Sequence, residues 1–194
     1  MNTPSHAILN LTLLGKTIYP HANLIIVLGG ILPDIPIFIF YGWAKFIAKI
    51  PEGKIWSEAY YDPTVQDVVA LFHSIPLAVI GLIIAIFFEW KMIQVLCISL
   101  ILHSLLDLPV HNDDAHRHFF PFSNYRFISP LSYWDPKHYG NIVAFVEIIL
   151  VFIGTIWSFS IVHSPIGKGL MILVNGFYLL GYFYFYLISK LGLQ

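Results

Sequence analysis

Cysteine is almost missing from this chain: Cys97 is the only one in 194 residues, and it lies inside an apolar run. That excludes a disulfide framework and a thiolate zinc site, and Cys97 reads as a small buried hydrophobe. Charge is scarce as well. Charged residues make up 11% of the chain, against roughly 25% in an ordinary globular domain, and the net charge is −1 with no basic patch. Nucleic acid is therefore excluded as a partner. There is no phosphate-cradling glycine motif and no GxSxG elbow, so neither a nucleotide enzyme nor a serine hydrolase finds support. No cation precedes Ala7 and Gly15-Lys16 breaks the first apolar stretch, which speaks against a cleavable signal. What the chain has instead is apolar residues, 58% of the total, with a mean hydropathy of +0.76. The expectation is a single integral membrane domain over residues 1–194, all-α, built as a helical bundle.

The apolar runs give about four spanning helices plus an N-terminal helical hairpin and an interfacial helix. Residues 3–14 open with Thr3, Pro4 and Ser5, a helix-start signal. Pro20-His21 separates this piece from the run Ala22 to Leu32, which ends at Pro33-Asp34. Each piece covers only roughly 16–20 Å as helix, short of the ~30 Å hydrocarbon layer. A hairpin returning Asp34 to the side of His6 is the favoured reading, with one longer span as the alternative. Residues 35–50 set Trp43, Phe46, Ile47 and Ile50 against Lys45 and Lys49, the pattern of a helix lying in the interface. Val68 to Phe88, Met92 to Leu108, Asn141 to Val162 and Gly169 to Ser189 read as the four spans. The short link at Glu89-Trp90-Lys91 makes the first two an antiparallel pair.

Histidine is the one chemically active residue type that clusters. Residues 103–122, HSLLDLPVHNDDAHRHFFPF, hold four of the nine histidines and three of the eleven acids. His103 and Asp107 are i and i+4, on one face of a helix. Pro109 ends that helix just after Asp107. The chain then presents His111, Asp113, Asp114, His116 and His118 on a long loop, residues 109–140, which also carries Tyr133, Trp134, Asp135 and His138. Imidazoles and carboxylates converging at a helix end suit a divalent metal, zinc first, with manganese or iron as alternatives. His73, near the start of a span, comes back to the same side as His103 and Asp107. Ionisable groups within membrane segments are default functional candidates, and Glu147 joins them. Seven cations (Lys45, Lys49, Lys54, Arg117, Arg126, Lys137 and Lys190) fall on the site side, and Lys16, Lys91 and Lys168 fall opposite. That bias puts the site on the cytoplasmic side of a bacterial-type inner membrane.

His6, then GGILPDIP, then FHS at 72–74, HSLLD at 103–107 and PF at 121–122 make an ordered set. It resembles the YdjM-like family of membrane-bound metal-dependent hydrolases over most of the first 125 residues. The resemblance implies that His6, Asp34, His73, His103 and Asp107 are metal ligands. The order is also similar to that in zinc-dependent phospholipases C. The added HNDDAHRH, with His111, His116 and His118 as further ligands, and SPLSYWDPKHYG depart from the simpler family pattern. So do Leu71-Phe72, where the family carries an Arg before the HS histidine.

The expected function is metal-dependent hydrolysis of a membrane lipid or lipid-linked phosphoester. Asp113 or Asp114 serves as base or bridging ligand, and Arg117 pairs with a phosphate. The alternative is a non-enzymatic membrane protein with a structural or ion-handling metal site. A di-iron oxidase is a weaker rival, because HxxxxHxH stands where HxxHH boxes are needed and no two histidines are adjacent.

Overall fold

The structure is a computed structural model that describes residues 1–15 and 22–188. Lys16, His21 and Lys190, which figured in the sequence reading, lie outside the described residues. The described chain is all helix and connecting loop, without strands. Five of its helices are long and apolar enough to cross a membrane: Asn23–Ile47, Pro63–Phe87, Lys91–Val110, Gly140–Ser158 and Pro165–Phe185. The protein is a membrane helical bundle.

Helix α1 (Thr3–Leu14) stands at the centre, too short to be one of the five. It packs on α2 (Asn23–Ile31), on α7 (Lys91–Asp107) and on α8 (Gly140–Ser158). It runs antiparallel to α2, since Leu11 packs with Ala22 and Ile26 while Thr3 reaches Asp34. The expected hairpin is therefore present, with Asp34 returned to the side of His6.

Its second arm does not stop there, however. A 3-10 turn, Leu32–Asp34, carries α2 straight into α3 (Ile35–Gly42) and a π turn, Trp43–Ile47. Residues 35–47 thus continue a 25-residue helix, where the sequence suggested a separate interfacial one. Pro33 and Pro36 each fall in the first turn of a new segment, where a missing N–H costs little, so they bend the helix without ending it.

The opposite happens at His73. The span expected to be unbroken from Val68 divides into α5 (Pro63–Phe72) and α6 (Ile75–Phe87). Pro76 again occupies a first turn, and the Ser74 hydroxyl caps α6 by accepting from Leu77 N at 3.2 Å. Irregular backbone is tolerated at membrane depth only where protein surrounds it, and His73 and Ser74 are both buried.

Close contacts fix the spacing of these helices. A side chain at Gly29 would meet the Ser99 side chain of α7 at 2.5 Å, and one at Gly30 would meet the Ala7 backbone at 3.0 Å. Small residues at such crossings let helices approach and hydrogen-bond. Asn10 donates to the Ser99 carbonyl and hydroxyl, both at 2.8 Å, and Ser99 Oγ donates to the Ile26 carbonyl at 2.6 Å. Between Phe40 and Val69, α3, α4 (Glu52–Ser57) and α5 close a separate apolar core around Ile55 and Tyr60. Helices α8 and α9 (Pro165–Tyr182) complete the bundle on the far side of α1.

Candidate metal centre

Every irregularity just described points toward one place. His6 comes from the first turns of α1, Asp34 from the 3-10 turn, His73 from the α5–α6 break, and His103 and Asp107 from the last turns of α7. All five are buried, and four of them at 0–1% exposure. Asp107 Oδ1 lies 2.9 Å from His6 Nε2, and Asp107 Oδ2 lies 3.2 Å from His103 Nε2 and 3.9 Å from His73 Nε2. Asp34 Oδ1 is 3.4 Å from His73 Nε2 and 3.7 Å from His103 Nε2. The His6 and His103 rings stack with centroids 3.7 Å apart.

The outer nitrogens are as telling as the inner ones. His73 Nδ1 is 2.8 Å from the Val69 carbonyl, and His103 Nδ1 is 2.9 Å from the Gly30 carbonyl. A carbonyl only accepts, so Nδ1 carries the proton and, in the neutral ring, Nε2 presents its lone pair inward. The Nε2 atoms of His6, His73 and His103 are buried without a hydrogen-bond partner among the described residues. Thr3 Oγ1 donates to Asp34 Oδ2 at 2.5 Å and holds that carboxylate in place. Imidazoles oriented through one nitrogen and bare at the other are what a bound metal requires.

The loop contributes further imidazoles. His116 stacks on His73 at 4.1 Å between centroids, and His118 lies 6.1 Å from His73. The His118 carbonyl accepts from Ile75 N at 2.9 Å, and Ser74 Oγ donates to the Phe120 carbonyl, so the loop is pinned to the start of α6. Burial, reinforced by the neighbouring His73, pushes His116 well below the usual histidine value and His118 down to about 4. Both are therefore neutral and able to ligate. His111 Nε2 is 3.1 Å from Asp107 Oδ1, and its Nδ1 is 3.0 Å from Asp114 Oδ2. Burial and the Met1 amine lower the His111 pKa, but the two carboxylates outweigh them and hold it above its ordinary value. The Met1 amine itself lies 2.7 Å from Asp107 Oδ1 and 2.7 Å from His111 Nε2.

Two groups have their ligand atoms within 4.8 Å of one another: His6, Asp34 and His103, and His73, Asp107 and His116. All six residues are buried. They could hold a metal ion, since a dry set of imidazole and carboxylate donors with orphaned nitrogens fits a divalent cation.

The three residues expected to act on substrate are not gathered in the same way. Asp113 is exposed on the loop. Asp114 is tied to His111 at 3.0 Å and accepts from Trp134 Nε1 at 3.3 Å. Arg117 faces away from the cluster, with Nη2 on Asp67 at 2.5 Å and Nη1 on Asn124 at 3.0 Å. His116 and His118 are buried, and Arg117 between them is only partly so. His138 pairs with Asp135 at 2.8 Å in a local turn away from the cluster.

Sequence reasoning left Glu147 without a role. Its Oε1 accepts from Asn2 N at 3.0 Å, Asn2 Nδ2 at 3.1 Å and Ser5 Oγ at 2.5 Å, anchoring the start of α1 and hence His6. A lone acid in an apolar helix was the available signal. Thr3 carried none.

Comparison of the chain with protein families, with characterised proteins and with solved structures returns no match. What fold and site together define is an all-helical membrane protein with buried His/Asp groups able to hold a metal ion.

Proposed function

We propose that the protein is a membrane-embedded metal-dependent hydrolase acting on a lipid or lipid-linked phosphoester, as its resemblance to the YdjM-like family suggests. The observation that carries this reading is the convergence on Asp34 and Asp107 of three buried Nε2 atoms, from His6, His73 and His103, that have no hydrogen-bond partner among the described residues. In a membrane bundle, such groups cost too much to be left unpaired without a cation.

His6, Asp34 and His103 would hold one divalent ion, zinc first, and His73, Asp107 and His116 a second. Such ions supply Lewis acidity and a water of lowered pKa. The chain's own residues prepare the site for that chemistry. Thr3 orients Asp34, the carbonyls of Val69 and Gly30 fix the tautomers of His73 and His103, and Asp114 turns His111. The surrounding helices keep the polar cluster out of bulk water.

A lipid-borne substrate is supported by the position of the cluster within helices whose outer faces are apolar, such as Phe38, Ile39, Phe46 and Ile47. Among the described residues, Lys45, Lys49, Lys54, Arg117, Arg126 and Lys137 lie beyond the site end of the bundle, against Lys91 and Lys168 at the other end. This supports a cytoplasm-facing site in an inner membrane.

The test is elemental analysis of purified protein beside His103→Ala and Asp107→Ala, followed by turnover of lipid phosphoesters. Stoichiometric metal in the wild type, lost in both variants, together with turnover is the expected result. Metal retained without turnover on any phosphoester favours a structural or ion-handling site. A wild type that stays metal-free after reloading ends the proposal.

A further inference from the structure

Beside the cluster, between α8 and α9, lies a cavity of about 480 Å³. This is within the size range of small-molecule sites. Its walls include Ala144, Ile148, Phe177, Gly181 and Phe185, and its inner end is closed by Asn2, Tyr133, Glu147 and Tyr178. The outer end meets the surroundings through Phe177 and Phe185, both more than half exposed. The inner end abuts the cluster, because the Tyr133 ring is 4.9 Å from that of His111 and Asn2 follows the Met1 amine held by Asp107.

Glu147 is the polar point in this cavity. The side chain is only 3% exposed. One oxygen, Oε1, takes all three of its hydrogen bonds, from Asn2 and Ser5, while Oε2 is buried and has no partner among the described residues. A buried acceptor left without a donor is costly, and more so on a carboxyl group. The neighbouring Tyr178 hydroxyl is engaged with Ser5 Oγ at 2.9 Å. Oε2 is thus an open valence on a residue of this wall.

We propose that this cavity is a binding site for a single apolar chain headed by a hydrogen-bond donor, a hydroxyl or an amine, which Glu147 Oε2 accepts. The aromatic and aliphatic walls take the chain, and Glu147 fixes the head next to the Tyr133–His111 contact. That the occupant is the apolar arm of the phosphoester substrate rests on the function proposed above. That the cavity binds such a chain does not.

The test uses full-length protein in phosphatidylcholine nanodiscs and a bromine-terminated dodecanol as probe. Tryptophan quenching is read as the difference between wild type and Trp134→Phe, since Trp134 lines the cavity. The blocking variant is Gly181→Phe, because Gly181 lines the cavity and an added Cβ there meets nothing within 4 Å. Saturable quenching is expected in the wild type, with binding about tenfold weaker for the methyl ether of the same chain, which has no donor. In Gly181→Phe the saturable component is lost while metal content stays unchanged. Tighter binding by the bromoalkylamine assigns an ammonium head, and tighter binding by the alcohol a hydroxyl head.

No saturable quenching in the wild type, equal binding by alcohol and ether, or undiminished binding in Gly181→Phe each overturns the proposal. Metal uptake without probe binding removes this site and leaves the metal centre. Probe binding by a protein that stays metal-free after reloading removes the hydrolase reading and leaves this site.

Discussion

Thr3 makes a single hydrogen bond to Asp34, yet that contact separates a ligand-orienting role from a merely structural one. Thr3→Val keeps the shape and removes the donor. Groups that orient ligands typically contribute 10- to 100-fold in metal affinity, so Thr3→Val should weaken zinc binding by about tenfold to a hundredfold with little change in the thermal midpoint. Competition against a fluorescent zinc chelator measures it. Asp114 gives a second prediction at the same scale. Because it holds His111, whose Nε2 lies 3.1 Å from the Asp107 carboxylate, Asp114→Asn should lower metal affinity by about tenfold and leave turnover of the fully loaded protein within a few-fold of wild type. A loss of turnover by about a hundredfold at saturating metal would return Asp114 to the role of general base. The sequence named both His111 and Asp114, because histidines and acids are conspicuous in an apolar chain. Thr3 was invisible, since a threonine near a helix start reads as a cap.

At the scale of elements, the two interrupted helices set where ligands stand. Asp34 and His73 both sit where a proline in the next segment bends or breaks the path, so each leaves the regular ladder and enters the cluster. The carbonyl of His73, freed by the break, accepts from Ser104 Oγ at 2.9 Å and faces His118 Nδ1 at 3.3 Å. At Asp107 α7 passes into a 3-10 turn, Leu108–Val110, that contains Pro109, so the chain leaves the helical path at His111 and not directly after Asp107 as the sequence suggested. Pro33 and Pro76 also depart from the sequence reading, because a proline removes one donor and whether a helix stops there depends on what else supplies or replaces the bond. Close packing makes α2 sensitive. Gly29→Val places a side chain into Ser99, and overpacking of this kind costs about 1–3 kcal/mol. The expected result is a lowered thermal midpoint in detergent together with reduced metal content, since α2 carries Asp34 and α7 carries His103. Gly176→Ala is the matched control. Its side chain meets open space, and a mid-helix Gly-to-Ala change is favourable by roughly 0.5–1 kcal/mol.

At the scale of the whole molecule, the cluster joins α1, the α2–α3 turn, the α5–α6 break, α7 and the loop after it. A cation bound there ties together segments from residue 6 to residue 116 and stabilises only the folded bundle. With free metal at about a thousand times Kd, linkage predicts about 4 kcal/mol of added stability. Chelation should therefore lower the unfolding midpoint of the wild type and re-addition of zinc should restore it. His103→Ala should show no response to either. A wild-type midpoint indifferent to metal would mean that the cluster binds none under those conditions.

The sequence by itself determined that this is an all-helical membrane protein with a set of histidines and acids directed to one end of the bundle. Both facts follow from composition and local periodicity: apolar runs of this length have few soluble alternatives, and ionisable groups among them are too costly to be scattered. Tertiary structure decided the rest. Residues 35–47 extend a spanning helix because one face of it, at Phe40 and Ala44, packs with Ile55, Tyr60 and Val69, and His73 lies at a break because Ser104 of α7 donates to its freed carbonyl. Glu147 anchors α1 through Asn2 and Ser5, 142 or more positions away in the chain. Such pairings depend on which surfaces meet once the helices pack, and no spacing along the chain records them.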